Sequence, residues 1–409
     1  MRFITKWALA LLPALALATP AFAQSVLNDS EEPGSVIIFP KFIGGAPGAP
    51  GSAPRVHVDG IAGIARTEIE VGLVCPPALV GSNSPLCAEH TLYKIRFHWV
   101  CPGQENVNSN ICKESNFEFF ISMNGKVAFS ADGDPINSNS PNATVPPCPR
   151  GYLIGWVENT NDQPIRFDGL IGNAVIRGPD IVSAGNNSTA VSAYNAIPIQ
   201  ASDVPGAPGA LPAIGQPLSI GDAQDSNALI FDGAPGHYKA ITGSFYGDVR
   251  YDKIAPGAPL PDVLSETFIT FLTLDVRSNK PNNSVFVPLW FFSESAKVPN
   301  ANNNDFERLV STSWNFVCWD QVQLSTIDPN LTQARMLTRK GVVLAGRPTG
   351  AITMKDPDGA PNDDFGNEVT LIGLIETIEG TAPNFQERKY NFNTVNNSVP
   401  VFTKFIPFP

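Results

Sequence analysis

Short segments with the composition of β-strands recur along almost the whole chain and constrain its fold more than any other feature. They are rich in Val, Ile, Phe and Thr and are bounded by Asn, Gly, Pro or Asp, as at 35–43, 67–74 and 369–378. Residues 92–100 alternate between an apolar set, Tyr93, Ile95, Phe97 and Trp99, and a polar set, Lys94, Arg96 and His98. This alternation predicts a strand with one buried and one solvent-facing side, and the chain as a whole reads as all-β.

The two halves of the chain share several sequence matches in the same order. The matched pairs, first half before second, are 67–74 with 267–274, Trp99 with Trp290, Cys112 with Cys318, and 153–158 with 371–376. The last pair reads Leu-Ile-Gly-Trp-Val-Glu in the first half and Leu-Ile-Gly-Leu-Ile-Glu in the second. Matches that keep their order over about a hundred residues indicate a tandem duplication.

This duplication predicts two tandem β-sandwich domains of the immunoglobulin-like or jelly-roll-like type, stabilised by disulfides. We expect the first domain at 24–254 and the second at 255–409. Pro/Gly-rich stretches at 44–54 and 204–217 are expected to be exposed insertions of the first domain, because Pro cannot donate to a β-ladder.

The first 23 residues have the three-part pattern of a Sec-type signal peptide. Arg2 and Lys6 flank the start of an apolar run, and Ala21 and Ala23 supply the small residues that signal peptidase recognises. We therefore expect residues 1–23 to be removed and the mature protein to lie in the periplasm or outside the cell. No later stretch approaches the roughly 18–20 consecutive apolar residues of a membrane helix, so the sequence predicts no membrane span. The net charge of −11 disfavours nucleic acid as a partner.

Six cysteines, an even number in a chain expected to be exported, predict a disulfide framework. Their spacing favours the pairs Cys75 with Cys87, Cys101 with Cys112 and, by elimination, Cys148 with Cys318. Spacing alone does not choose among the alternative pairings, which therefore stay open.

An acidic, turn-rich segment near residue 360 has the composition that calcium prefers. Its candidate oxygen ligands are Asp356, Asp358, Asp363, Asp364 and Glu368. The spacing departs from that of an EF-hand, and Asp also favours β-turns that bind no metal, so the alternative is an ordinary loop. Calcium is the one cofactor that the sequence suggests.

Motifs that would mark a catalytic centre are missing from the sequence. The chain has only four histidines and contains no HExxH, GxSxG or SxxK pattern, so we expect no catalytic residue. A hydrolase with an unfamiliar carboxylate site remains a third alternative. Trp99 and Trp156 lie in apolar strand patterns and are expected in a core, whereas Trp319, beside Asp320, is expected to be exposed.

The segments near the two ends of the chain resemble each other. Residues 35–43 and 398–406 agree at six of nine positions, and both place apolar residues on either face of a strand. They are expected to close their own sandwiches; alternatively, one of them pairs with a neighbouring molecule, and repetition of that contact gives a filament.

Together these features favour an exported, non-catalytic structural or adhesive protein of the cell surface, extracellular matrix or a filament assembly. Its expected partners are copies of itself or other surface and matrix proteins. The alternative is a secreted module that binds a carbohydrate or another ligand, with or without calcium.

Overall fold

A computed structural model of the chain shows an all-β protein. It describes residues 31–44, 66–102, 112, 114–132, 143–177, 191–203, 212–221, 227–242, 245–252, 263–274, 285–299, 304–316, 318–323, 338–345, 349–350, 371–381, 384–391, 393–394, 400–401 and 403–405. Within these ranges the only helical turns are two of the 3₁₀ type, Pro77–Leu79 and Pro85–Cys87. None of the described helices has the length and apolarity needed to cross a membrane.

Nine strands form the first repeat, which is a sandwich of two antiparallel sheets. They are β1 (Val36–Ile43), β2 (Arg66–Leu73), β3 (Leu92–Val100), β4 (Glu114–Ser122), β5 (Lys126–Ser130), β6 (Arg150–Glu158), β7 (Leu170–Arg177), β8 (Val191–Asn195) and β9 (Ile197–Ile199). One sheet has the order β4-β3-β6-β1-β9 and the other β5-β2-β7-β8. Apolar side chains from both sheets, including Ile69, Phe97, Phe129 and Leu153, form one core between them.

The second repeat has the same architecture. Its strands are β12 (Phe245–Asp252), β13 (Val263–Leu272), β14 (Val285–Pro299), β15 (Asn304–Phe316), β16 (Trp319–Gln323), β17 (Thr338–Ala345), β18 (Thr349–Gly350), β19 (Ile372–Thr381), β20 (Asn384–Asn391) and β21 (Asn393–Thr394). The sheets have the orders β15-β14-β17-β12-β21, with β18 beside β14, and β16-β13-β19-β20. With β18 left aside, these strands follow one another and pair as β1 to β9 do, which confirms the duplication.

Strand register gives the residue-by-residue correspondence between the repeats. Val71 stands opposite Gly172 in the first repeat, and Phe271 stands opposite Gly373 in the second. The match of 67–74 with 267–274 is therefore confirmed.

The predicted match of 153–158 with 371–376 is wrong. The first of these segments lies in β6, whose counterpart is β17, and the second begins just before β19, whose counterpart is β7. Leu-Ile-Gly at 170–172 is the true counterpart of Leu-Ile-Gly at 371–373. The error arose because the same three residues also occur in β6. Cys112 and Cys318 are not counterparts either, since Cys112 lies just before β4 and Cys318 lies just before β16, which is the counterpart of β5.

The alternation predicted for β3 is confirmed on its buried side, where Trp99 is fully buried. On the other side, His98 is not solvent-facing as predicted but 1 % exposed. Its ring stacks on Trp156, with the ring centroids 4.8 Å apart, and Nδ1 lies 2.5 Å from Oε1 of Glu114. Phe405, near the end of the chain, covers this site at a centroid distance of 5.9 Å from His98.

The sheet β16-β13-β19-β20 packs with its outer face against the first repeat at the end of β1. Nζ of Lys41 lies 2.8 Å from both carboxylate oxygens of Glu376, and both side chains are fully buried. The indole Nε1 of Trp319 donates to the carbonyl oxygen of Pro40 at 2.8 Å. Trp319 is only 4 % exposed, so its predicted exposure is wrong: the first repeat covers it.

Three disulfides connect the six cysteines, which fits an exported protein. The predicted Cys75–Cys87 pair is confirmed, with the Cα atoms 5.2 Å apart. The other two predicted pairings are wrong, because the observed pairs are Cys101 with Cys148 and Cys112 with Cys318, at Cα distances of 5.9 and 6.2 Å. Cys101 and Cys148 flank the paired strands β3 and β6, whereas the Cys112–Cys318 bridge joins the two repeats.

Both terminal segments pair within the chain. β1 lies between β6 and β9 inside its own sandwich, as expected. At the other end, β22 (Pro400–Val401) and β23 (Thr403–Phe405) pair with β11 (Ile241–Thr242) and β10 (Leu229–Phe231). The C-terminal segment therefore does not close the second sandwich as expected, because β12 occupies the place that β1 holds in the first.

The second repeat begins with β12, which lies ahead of residue 255. A structural repeat and an independently folding domain need not share boundaries, so the predicted domain division between 254 and 255 stays a prediction.

Candidate functional site

A groove runs along the outer face of the sheet β5-β2-β7-β8, the face turned away from the core of the first repeat. We call it the outer groove. It is open to solvent and encloses about 500 Å³. Its polar lining includes Glu31, Glu32, Glu70, Lys126, Asn173 and Asn195. A volume of this size is typical of sites for small molecules or short polymer segments.

A polar row crosses three strands of this face. Glu70 on β2 stands opposite Asn173 on β7, which in turn stands opposite Asn195 on β8. Because residues directly opposite on neighbouring strands point to the same side of a sheet, this register places one carboxylate and two amides in line. Lys126 on β5 stands opposite Gly72, two residues along from Glu70, and joins the row through its Nζ, which donates to Oε2 of Glu70 at 3.0 Å.

Small residues keep the centre of the groove open. Gly72 lies on the outer face beside Ile171, and a Cβ atom at Gly72 would lie 3.1 Å from Cγ1 of Ile171. Ile171 is itself 42 % exposed, although it is a large apolar side chain. The groove therefore offers an apolar patch next to the polar row.

The corresponding face of the second repeat is buried instead of open. The counterparts of Glu70, Gly72, Asn173, Ile171 and Lys126 are Thr270, Leu272, Leu374, Ile372 and Trp319. All of these counterparts are buried, and Leu374 packs into the core of the first repeat. One copy of this face is thus a permanent contact inside the chain, and the other copy is an open groove.

A second cluster of charges lies on the first half of β3, on the outer side of the other sheet. Lys94 and Arg96 form ion pairs with Glu118, Glu158 and Asp162. The hydrogen bond from Lys94 lowers the pKa of the exposed Asp162 carboxyl. Since these groups are paired with one another, the cluster stabilises the strand ends and is a weaker candidate for a binding site than the groove.

The residues predicted to bind calcium, Asp356, Asp358, Asp363, Asp364 and Glu368, lie outside the described residues, so this site stays a prediction. Within the described part of the chain, no group of three or more His, Cys, Asp or Glu side chains is placed to hold a metal ion. The six predicted disulfide cysteines are all brought into bridges.

Sequence reasoning missed the residues of the outer groove. The signal that could have found them is a comparison of the correctly paired repeats. After the shared Leu-Ile-Gly motif, β7 continues with Asn173 where β19 continues with Leu374, and Glu70 stands where β13 has Thr270. A charged or amide side chain at a position where the matched residue of the other repeat is buried marks a face without that internal contact.

No known protein family matches the chain, and no curated protein matches it. Among solved structures, the chain is similar to the N-terminal tandem CBM22 domains of Xyn10C from Paenibacillus barcinonensis, with 10 % identity, 78 % of this chain and 79 % of that chain covered, and a TM-score of 0.15. A B domain of a biofilm-associated protein has 10 % identity, covers 90 % of this chain and 83 % of its own, and has a TM-score of 0.14. A chemokine-binding protein of a rodent gammaherpesvirus has 10 % identity, coverages of 81 % for both chains and a TM-score of 0.13. Scores this low carry no argument about fold or function, so both rest on the chain itself.

Proposed function

We propose that the chain is an exported, non-catalytic adhesive protein of the cell surface or extracellular matrix, and that it binds through the outer groove. One observation carries this proposal: the same sheet face is present twice, buried as an internal contact in the second repeat and open as a polar groove in the first. A double sandwich that leaves this face open is suited to attachment.

The state of the groove supports binding rather than catalysis. The carboxylate of Glu70 is paired with Lys126, and the two side chains are 39 % and 68 % exposed. Carboxylates that act in catalysis work in sites that exclude water, and an open sheet face does not exclude it.

Retention of the protein by the cells that export it tests the proposal. The full chain is expressed in an exporting bacterial host, and the fraction held by washed cells and matrix is compared with the fraction in the medium. We expect Asn173→Leu, which introduces the residue of the second repeat, to release most of the retained protein. Val175→Leu enlarges a residue on the same strand face outside the groove lining and should leave retention unchanged.

Equal retention of the wild type and Asn173→Leu, at equal thermal stability, would remove the groove from the function. Retention of neither variant nor wild type would refute the adhesive role itself.

A further inference from the structure

We propose that the outer groove binds a glycan chain that carries no acidic groups, and that it prefers sugars with free amino groups. This inference rests on the proposed function in one respect, that the groove is the binding face. The polar row, the apolar patch and the charge of the groove indicate the chemistry of the ligand.

The polar row matches a ligand that is rich in hydroxyl groups. A carboxylate accepts, an ammonium donates, and an amide does both, so the row formed by Glu70, Asn173, Asn195 and Lys126 can satisfy hydroxyls as donors and as acceptors. Neighbouring strands are about 4.8 Å apart, so the row repeats its polar groups at intervals comparable with the size of a sugar ring. A glycan lying across the strands would meet one such group on each strand.

The apolar patch matches the other side of a sugar. Sugar rings present C–H groups as well as hydroxyls, and Ile171, next to Gly72, offers an exposed apolar surface for them. None of the described residues that line the groove is aromatic, so binding depends on hydrogen bonds more than on ring stacking.

A protein partner fits the groove less well. Protein interfaces have an apolar centre with aromatic anchors, and the face of the second repeat that does contact protein has this composition, with Trp319, Leu272 and Leu374. In the first repeat the same positions hold Lys126, Gly72 and Asn173. In the first repeat this face therefore offers groups that hydrogen-bond a polar ligand, where the second repeat offers apolar groups that pack against protein.

The charge of the groove decides between classes of glycan. Among the described residues that line it, Glu31, Glu32 and Glu70 carry carboxylates and Lys126 carries an ammonium. This excess of negative charge repels uronic acids and other acidic sugars and attracts protonated amino sugars. Because the groove is open, salt should screen the preference within a Debye length of about 8–10 Å.

Isothermal titration calorimetry of the full chain with four sugar hexamers tests this inference. Three of the hexamers are β-1,4-linked and consist of glucosamine, N-acetylglucosamine or glucose, and the fourth consists of galacturonic acid. We expect the glucosamine hexamer to bind tightest and the galacturonic acid hexamer to show no binding. Asn173→Leu should weaken the glucosamine complex about tenfold or more, because it removes hydrogen bonds and fills the groove.

Two charge variants on β2 distinguish the effect of a charge in the groove from the effect of the protein's net charge. Glu70→Gln should reduce the preference for glucosamine over glucose severalfold. Glu68→Gln removes the same charge two residues away, outside the groove lining, and should change the affinity by less than about twofold. High salt should bring the affinities for glucosamine and glucose together.

Binding of galacturonic acid in preference to the other hexamers, or glucosamine binding that Asn173→Leu leaves intact, would overturn the inference. No binding to any hexamer, together with retention on cells that depends on the groove, would overturn the inference and leave the proposed function standing. Saturable binding to an immobilised copy of the chain, abolished by Asn173→Leu, would replace the glycan with a second molecule.

Discussion

The buried ion pair between Lys41 and Glu376 ties the two repeats together at the level of single residues. Glu376 also accepts hydrogen bonds from Thr270 and Gln321, so its carboxylate is satisfied from three directions. Two buried charges are tolerated only while they face each other, because either one alone would be left in an apolar contact without compensation.

Removing one partner of this pair should therefore strongly destabilise the folded protein. We expect Lys41→Met and Glu376→Gln each to lower the free energy of unfolding by about 3–5 kcal/mol, and the double variant to lose less than the sum. Urea unfolding of the four proteins measures this coupling. Lys126→Met breaks the exposed pair with Glu70 and should cost at most about 1 kcal/mol. Equal losses for Lys41→Met and Lys126→Met would contradict the buried contact between the repeats.

Asp168 should make stability depend on pH. Burial raises the pKa of its carboxyl, against hydrogen bonds from Ser35 and the Ala201 amide at 2.7 and 2.8 Å. Because the folded-state pKa lies above that of the unfolded chain, the contribution of Asp168 is fully present below the unfolded-state pKa and is lost as pH rises through the folded-state pKa. Asp168→Asn keeps an acceptor oxygen and cannot titrate, so its stability relative to the wild type should increase with pH.

Asp162 gives the matched control, because its pKa is shifted the other way. Its carboxyl has a lowered pKa beside Lys94, so its contribution is present above the unfolded-state pKa and is lost as pH falls. Unfolding curves over a pH series should therefore show opposite trends for Asp168→Asn and Asp162→Asn. Parallel trends would contradict the assigned environments.

The sequence predicted the positions of strands better than it predicted which strands correspond between the repeats and which segments cover them. The predicted bounds of β3 agree with the structure, because strict alternation is a local property. The pairing of β7 with β19 as counterparts was missed because a three-residue motif repeats within the first half. The burial of His98 and Trp319 was missed because distant segments cover them, and a local pattern carries no record of long-range contacts.

Two glycines in neighbouring strands should respond differently to the same substitution. A Cβ atom at Gly172 would lie 2.7 Å from the carbonyl oxygen of Glu70 and 2.9 Å from core atoms of Ile37 and Phe39. We expect Gly172→Ala to lower the free energy of unfolding by about 1–3 kcal/mol through overpacking. The close contact of Gly72→Ala is with the exposed Ile171, which can move, and the carbonyl oxygen of Gly125 lies at an ordinary 3.9 Å, so the effect should be small. Denaturant unfolding checks both, and equal effects would contradict the assignment of Gly72 to the open face.

At the scale of the whole molecule, the Cys112–Cys318 disulfide joins the repeats across 206 residues, whereas Cys75–Cys87 closes a segment of only 12. A bridge that closes a longer loop removes more entropy from the unfolded chain, with about 3 kcal/mol for a 15-residue loop and about 4.7 for a 100-residue loop. Replacing Cys112 and Cys318 by Ser should therefore lower the melting temperature more than replacing Cys75 and Cys87. The reverse order would argue against the bridge between repeats.

The same sheet face is open in the first repeat and buried in the second, and a matched pair of isoleucines reports on both. Ile171 in the outer groove is 42 % exposed, and its counterpart Ile372 is 2 % exposed. Hydroxyl-radical footprinting of the full chain, with and without the glucosamine hexamer, measures their accessibility directly. We expect Ile171 to be oxidised in the free protein and protected by the glycan, and Ile372 to be protected in both states. Oxidation of Ile372 at the rate of Ile171, or an unchanged rate at Ile171 with the glycan bound, would refute the assignment of one buried and one open face.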